Sequence, residues 1–142
     1  MKETNVAFEA VSALNFAEAV AQVRKALAAE GFGVLTEMDV QATMKAKLGI
    51  EGEPYLILGA CHPQSAHRAL AAAPQVGVLL PCNVAVSVEG GRTVVRAMNP
   101  ESVMGIVGIP ELAAVGASVG AALRRVVVAC EGPSLKPGAD GA

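Results

Sequence analysis

Apolar positions recur along this chain with two periods, and the switches between them mark its elements. Residues 6–13 alternate loosely, with Val6, Phe8 and Val11 apolar, and predict a first strand. Asn15 follows, with Glu18 three residues on, in the manner of a capping box. Phe16, Val20, Val23 and Leu27 then fall on one helical face, and Gly31 stops the helix. Residues 32–36 predict a second strand. Asp39 is placed to cap a short helix with Val40, Met44 and Leu48 inward, ended by Gly49. Residues 54–60, an apolar run too short for a helix, predict a buried strand.

Pro63 suits the first turn of another helix, whose inner face is Ala66, Ala69, Leu70 and Ala73, with Pro74 as terminator. Residues 76–88 predict a long strand broken in rhythm by Pro81. Glu89-Gly90-Gly91-Arg92 predicts a hairpin turn into a partner strand at residues 93–98. Asn99-Pro100 opens a short helix that Gly105 or Gly108 ends. Pro110 opens the last helix, with Leu112, Val115, Val119, Leu123, Val126 and Cys130 as its stripe. The order β-α-β-α-β-α-β-β-α-α with an antiparallel hairpin excludes a purely parallel sheet. It predicts an α+β domain: a mainly antiparallel sheet with helices packed on one face. One domain over residues 1–131 is expected, with residues 132–142, rich in Gly and Pro, as a disordered tail.

Composition narrows the chemistry. Hydrophobic residues make up 53% of the 142, aromatics only 3%, and glycine supplies 15. Small and branched aliphatic side chains must therefore build the core, and the Ala- and Gly-rich helices predict tight packing on the sheet. A formal charge of -2 gives no footprint for nucleic acid, and so few aromatics offer no stacking platform. The acidic start lacks the pattern of a secretory signal, so a cytoplasmic protein is expected. The apolar stretch from Leu112 is interrupted by Arg124 and Arg125 and is expected to be a buried or interface helix rather than a membrane span. Gly116 and Gly120, four apart on it, predict close approach to the sheet or to a second subunit.

Three segments in order resemble the domain of unknown function 302 family. They are Phe32-Gly33-Val34-Leu35-Thr36-Glu37-Met38-Asp39-Val40, Tyr55-Leu56-Ile57-Leu58-Gly59-Ala60-Cys61-His62-Pro63 and Leu79-Leu80-Pro81-Cys82-Asn83-Val84. The resemblance spans residues 32–100. It rests on Glu37, Asp39, Gly59, Cys61, Pro63, Pro81, Cys82 and Asn83, with His62 standing where a small polar residue such as Asn is expected. It implies a β-α-β(4)-α core of TATA-binding-protein-like type and a homodimer. It carries no activity across, and the fold name implies no DNA binding.

The residues that could do chemistry cluster in those segments. Cys61 precedes a helix start, where unpaired N–H groups favour anionic sulfur. Cys82 follows Pro81, and the short helix between them could bring the two sulfurs face to face. A redox pair, a persulfide site or a metal thiolate is one reading; two buried cysteines acting as small hydrophobes is the favoured one. His62 and His67, five residues apart on a helix, diverge, so no metal site is expected. Glu37 and Asp39 could share acid–base work, though a cap role for Asp39 fits better. Asn83 could bond a ligand or a stray backbone group, and Tyr55 could wall a pocket with its hydroxyl at the rim. The leading expectation is a homodimeric small-ligand- or partner-binding module with a pocket lined by Tyr55, Cys61, Cys82 and Asn83. No cofactor, nucleic acid or membrane is expected, and the ligand itself is not specified by the sequence.

Overall fold

The computed structural model describes residues 1–132. Six antiparallel strands form one open sheet: β1 (Lys2–Glu3), β2 (Ala7–Ser12), β3 (Gly33–Asp39), β4 (Tyr55–Cys61), β5 (Cys82–Glu89) and β6 (Arg92–Met98). Their order across the sheet is β1-β2-β6-β5-β4-β3. Five helices accompany them: α1 (Phe16–Ala29), α2 (Val40–Leu48), α3 (Pro63–Ala72), α4 (Pro100–Val107) and α5 (Pro110–Ala129). The α+β class and the antiparallel sheet are as the sequence predicts.

Strand alternation sorts side chains onto two faces. Phe8 and Ala10 of β2, Leu56, Leu58 and Ala60 of β4, Cys82, Val84 and Val86 of β5, and Val95 and Ala97 of β6 share the core with α1 and α5. On the other face Arg96 lies between two carboxylates. Its Nε donates to Glu9 at 2.6 Å, and its guanidinium pairs with Glu89, which also accepts from Ser87 Oγ at 2.6 Å. The β5–β6 turn is made by Gly90 and Gly91 at φ 59° and 80°, conformations that glycine adopts without steric penalty.

The caps follow the sequence. Asn15 Oδ1 accepts from the Glu18 N–H at 2.9 Å, and Asp39 Oδ1 from the Ala42 N–H at 2.9 Å. All six stripe positions of α5 are buried. This helix is long and apolar enough to span a membrane by length and composition, but half of its apolar window packs inside the domain.

Four expectations change. The strand expected at residues 76–88 starts only at Cys82, and Pro74–Leu79 is a 3-10 helix. Pro81 has no N–H for a ladder. Val76 is fully buried while Val78 is 88% exposed, a pair that strand alternation would place on one face. Second, α2 buries no residue: Met44 and Leu48 are exposed rather than inward. Third, Gly116 and Gly120 pack against α4 of the same chain rather than the sheet. A Cβ on Gly116 would lie 3.0 Å from the Pro100 carbonyl oxygen and 3.2 Å from Met104 Cβ. Fourth, β1 has no counterpart in the sequence reading, and β3 runs on to Asp39 rather than stopping at Thr36, with an irregularity between Val34 and Thr36. Of the expected tail, Gly132 is tied down, its N–H donating to the Val11 carbonyl at 3.1 Å. The rest, residues 133–142, lies outside the described residues.

Candidate functional site

Small side chains open a cavity at the end of the sheet where β4 finishes and β5 begins. Ala60 and Cys82 lie opposite one another in the β4–β5 register. Above them α3 offers Ala66 and Ala69, neither large enough to fill the space, and Gly116 of α5, pressed against α4, borders it. Pro100 and Met104 of α4, Leu35 and Thr36 of β3, and Leu80 and Pro81 complete the wall. The volume is about 300 Å³ and the lining is almost wholly apolar. The tight packing expected of the helix alanines is therefore not found at Ala66, whose smallness leaves room.

Cys61 and Cys82 both line this cavity, as does His62. Cys61 sits one residue past the position opposite Cys82 and is half-buried. Cys82 is buried, and that burial pushes its thiol up to about 11, the neighbouring Cys61 acting in the same direction. Cys82 is thus an uncharged thiol at neutral pH. The third cysteine, Cys130, is buried at the end of α5, and burial raises it likewise to about 11. Among the described residues, no group of three or more His, Cys, Asp and Glu converges to hold a metal ion.

His62 occupies the N-cap position of α3 without capping it. Its Nδ1 is 2.9 Å from Ser65 Oγ, and its ring meets Phe32 edge-on with centroids 5.3 Å apart. Beyond it lies a smaller, polar space of about 110 Å³, bounded by Glu30, Phe32, His62, Ser65, Ser118, Val119, Ala122 and Arg125. Arg125 donates to Glu30 Oε1 from Nε at 3.1 Å and from a terminal nitrogen at 2.9 Å. That bond holds the Glu30 carboxyl below its ordinary value.

The expected pocket of Tyr55, Cys61, Cys82 and Asn83 does not assemble as a unit. Asn83 pairs with Gly59 in the register and its side chain is exposed, on the alternate face from Cys82. Tyr55 lies at the opposite end of β4, in a separate depression with Phe16, Glu37 and Asp39. The two carboxylates thus do share a space, but both are engaged: Glu37 pairs with Arg24, and Asp39 caps α2. The residues that sequence reasoning missed are Ala66, Pro100, Met104 and Gly116. Ala66 and Gly116 carried a signal, small residues on facing elements, but small size alone fits close packing equally well.

Comparison with known proteins agrees with the resemblance of the three segments. No curated protein matches the chain. The crystal structure of an uncharacterized conserved protein from Bacillus stearothermophilus superimposes with a TM-score of 0.83 at 28% identity, covering 88% of this chain and 98% of that one. The model of the family described as domain of unknown function DUF302 matches residues 8–130, well beyond the half of the chain that the motifs span. The chain belongs to the DUF302 family.

Proposed function

We propose that this protein is a cytoplasmic small-ligand-binding module whose ligand occupies the cavity between β4, β5, α3, α4 and α5. The observation that carries this reading is the apolar space of about 300 Å³ left by Ala60, Ala66 and Ala69. Its size lies at the lower end of ordinary ligand sites, roughly 300–1,000 Å³. With α2 and α3 taken as extra short helices between the strands, the order from β2 to the last helices is β-α-β(4)-α, which supports a TATA-binding-protein-like arrangement without implying DNA. The near-neutral charge leaves nucleic acid outside this reading, and Arg124 and Arg125 within the half-buried apolar stretch of α5 leave the membrane outside it.

The test is binding of the uncharged dye N-phenyl-1-naphthylamine, read by its fluorescence. Ala66→Phe fills the space and is expected to weaken binding at least about tenfold, with the melting curve retained. Should that variant fail to fold, Leu70→Trp at the exposed rim serves instead. Unaltered binding in a folded variant removes the cavity from the proposal.

The same reading includes a homodimer. Strand β3 is an open sheet edge carrying exposed Leu35 and Met38, and such an edge accepts a further strand. A second copy paired there would cover Leu35, which also walls the cavity. Light scattering on the wild type and on Leu35→Lys tests this; a strict monomer at micromolar concentration overturns it.

A thiol function, redox, persulfide or metal-handling, is the second reading. It is favoured by the placement of Cys61 and Cys82 in one cavity. The raised Cys82 value disfavours that cysteine as the attacking thiolate, because the thiolate is the reactive form. Thiol titration with and without reductant separates the two, since a redox pair shows two sulfurs recovered together on reduction.

A further inference from the structure

We infer that the ligand is an amphiphile with an apolar body and a small, uncharged, hydrogen-bonding head, lying across His62 with its body in the apolar cavity and its head in the polar space beyond. The inference rests on the cavity reading above and deepens it. The two spaces share three wall residues, His62, Ser65 and Val119. A molecule that extends past them leaves an almost wholly apolar lining and enters one where two hydroxyls, a carboxylate and a guanidinium stand among Phe32, Val119 and Ala122. The volumes, about 300 Å³ and about 110 Å³, set the proportions of body to head.

The absence of charge on the head follows from how the polar space is balanced. Its cation and its anion, Arg125 and Glu30, are already bonded to each other. A carboxylate head meets Arg125 but also Glu30, and an ammonium head meets the reverse, so neither finds an unopposed countercharge. A hydroxyl or amide head needs none. Ser118 offers a hydroxyl that both donates and accepts, Ser65 offers what its bond to His62 Nδ1 leaves, and the second oxygen of Glu30 accepts.

Titration calorimetry at pH 7 with 1-octanol, octanoate and octylammonium tests this at constant chain length. Octanol is expected to bind about tenfold tighter than either ion. Glu30→Gln, which frees Arg125, is expected to raise octanoate to the level of octanol. Arg125→Gln, which frees Glu30, is expected to do the same for octylammonium. Combined Ser65→Ala and Ser118→Ala is expected to weaken octanol about fivefold. Equal binding of all three probes, unmoved by these substitutions but lost in Ala66→Phe, overturns the head assignment and leaves the cavity reading standing. Binding of none, or binding that Ala66→Phe does not change in a folded protein, overturns both.

Discussion

Gly59 of β4 lies directly against Thr36 of β3, so close that a Cβ on the glycine would overlap the threonine Oγ1 and come within 2.7 Å of Pro81 Cγ. Thr36 is the Cα partner of Gly59, next to the irregularity in β3. The glycine is required by contact, since its φ is not in the left-handed region. Gly59→Ala is therefore expected to destabilise by about 1–3 kcal/mol, read by urea denaturation. Combining it with Thr36→Ala is expected to recover part of that loss, because the nearest obstruction is then gone.

Two glycines of the helical pair α4–α5 are expected to respond in opposite directions to alanine. Gly116 faces the Pro100 carbonyl at 3.0 Å, and backbone cannot give way as a side-chain tip can. Gly116→Ala is expected to cost about 1–3 kcal/mol. Gly105 lies within α4, where a Cβ would meet nothing inside 4 Å, and its φ is not left-handed. Gly105→Ala is expected to stabilise by about 0.5–1 kcal/mol through helix propensity and a less free unfolded chain. Thermal melts of the two variants check both signs.

Alkaline pH is expected to loosen the fold before arginine or backbone chemistry intervenes. The Cys82 thiol titrates at about 11 in the folded chain against an ordinary 9.0, so the folded state holds this proton more tightly. The resulting stability is fully present below about pH 9 and is lost as pH rises through 11. For a thiol only 7% exposed it amounts to roughly 2–3 kcal/mol. Cys82→Ala is expected to make this alkaline limb shallower, the remainder being that of Cys130, raised likewise to about 11, while lowering neutral-pH stability by about 1 kcal/mol. Denaturation midpoints between pH 8 and 11 are the measurement, with about 3 pH units of range spanning the transition.

On the acid side the sign reverses. The Arg96 guanidinium and then the Ser87 hydroxyl hold the Glu89 carboxyl at about 2, below its ordinary 4.5. The stability so gained is present above about pH 4.5 and fades as pH falls towards 2. Glu89 is 44% exposed, so solvent screening limits its share to about 1 kcal/mol or less. Arg96→Gln is expected to lose that amount at pH 7, more weakly in high salt, with variant and wild type converging near pH 2.

Most elements of the fold are legible in the sequence because each carries a local cause. Asn15 and Asp39 cap, Gly90-Gly91 turns, and the α5 stripe buries as its spacing requires. The stretch before Cys82 misleads because Val76 and Val78 suit a strand by composition, while the burial of one and exposure of the other is a tertiary fact. Cys61, His62 and Cys82 are legible as neighbours through the short excursion between β4 and β5. The rest of the cavity is not, because Pro100, Met104 and Gly116 reach it only through the docking of α4 on α5. Tyr55 and Asn83 fall outside it for a simpler reason: one lies at the far end of its strand, the other on the alternate face.

The placement of β2 beside β6 has a kinetic consequence. Glu9 and Arg96 stand opposite each other yet are 87 residues apart in sequence. Bringing such distant segments together costs about 4 kcal/mol of loop-closure entropy on a logarithmic length scale. Strands β5 and β6 meet across a two-residue turn and bear almost none of it. The hairpin is therefore expected to form early and β2 to dock after the main barrier. Weakening Phe8, the fully buried side chain of β2 opposite Ala97, then hastens unfolding while leaving the folding rate nearly unchanged. The strand that completes the sheet governs how long the native state lasts rather than how quickly it is reached.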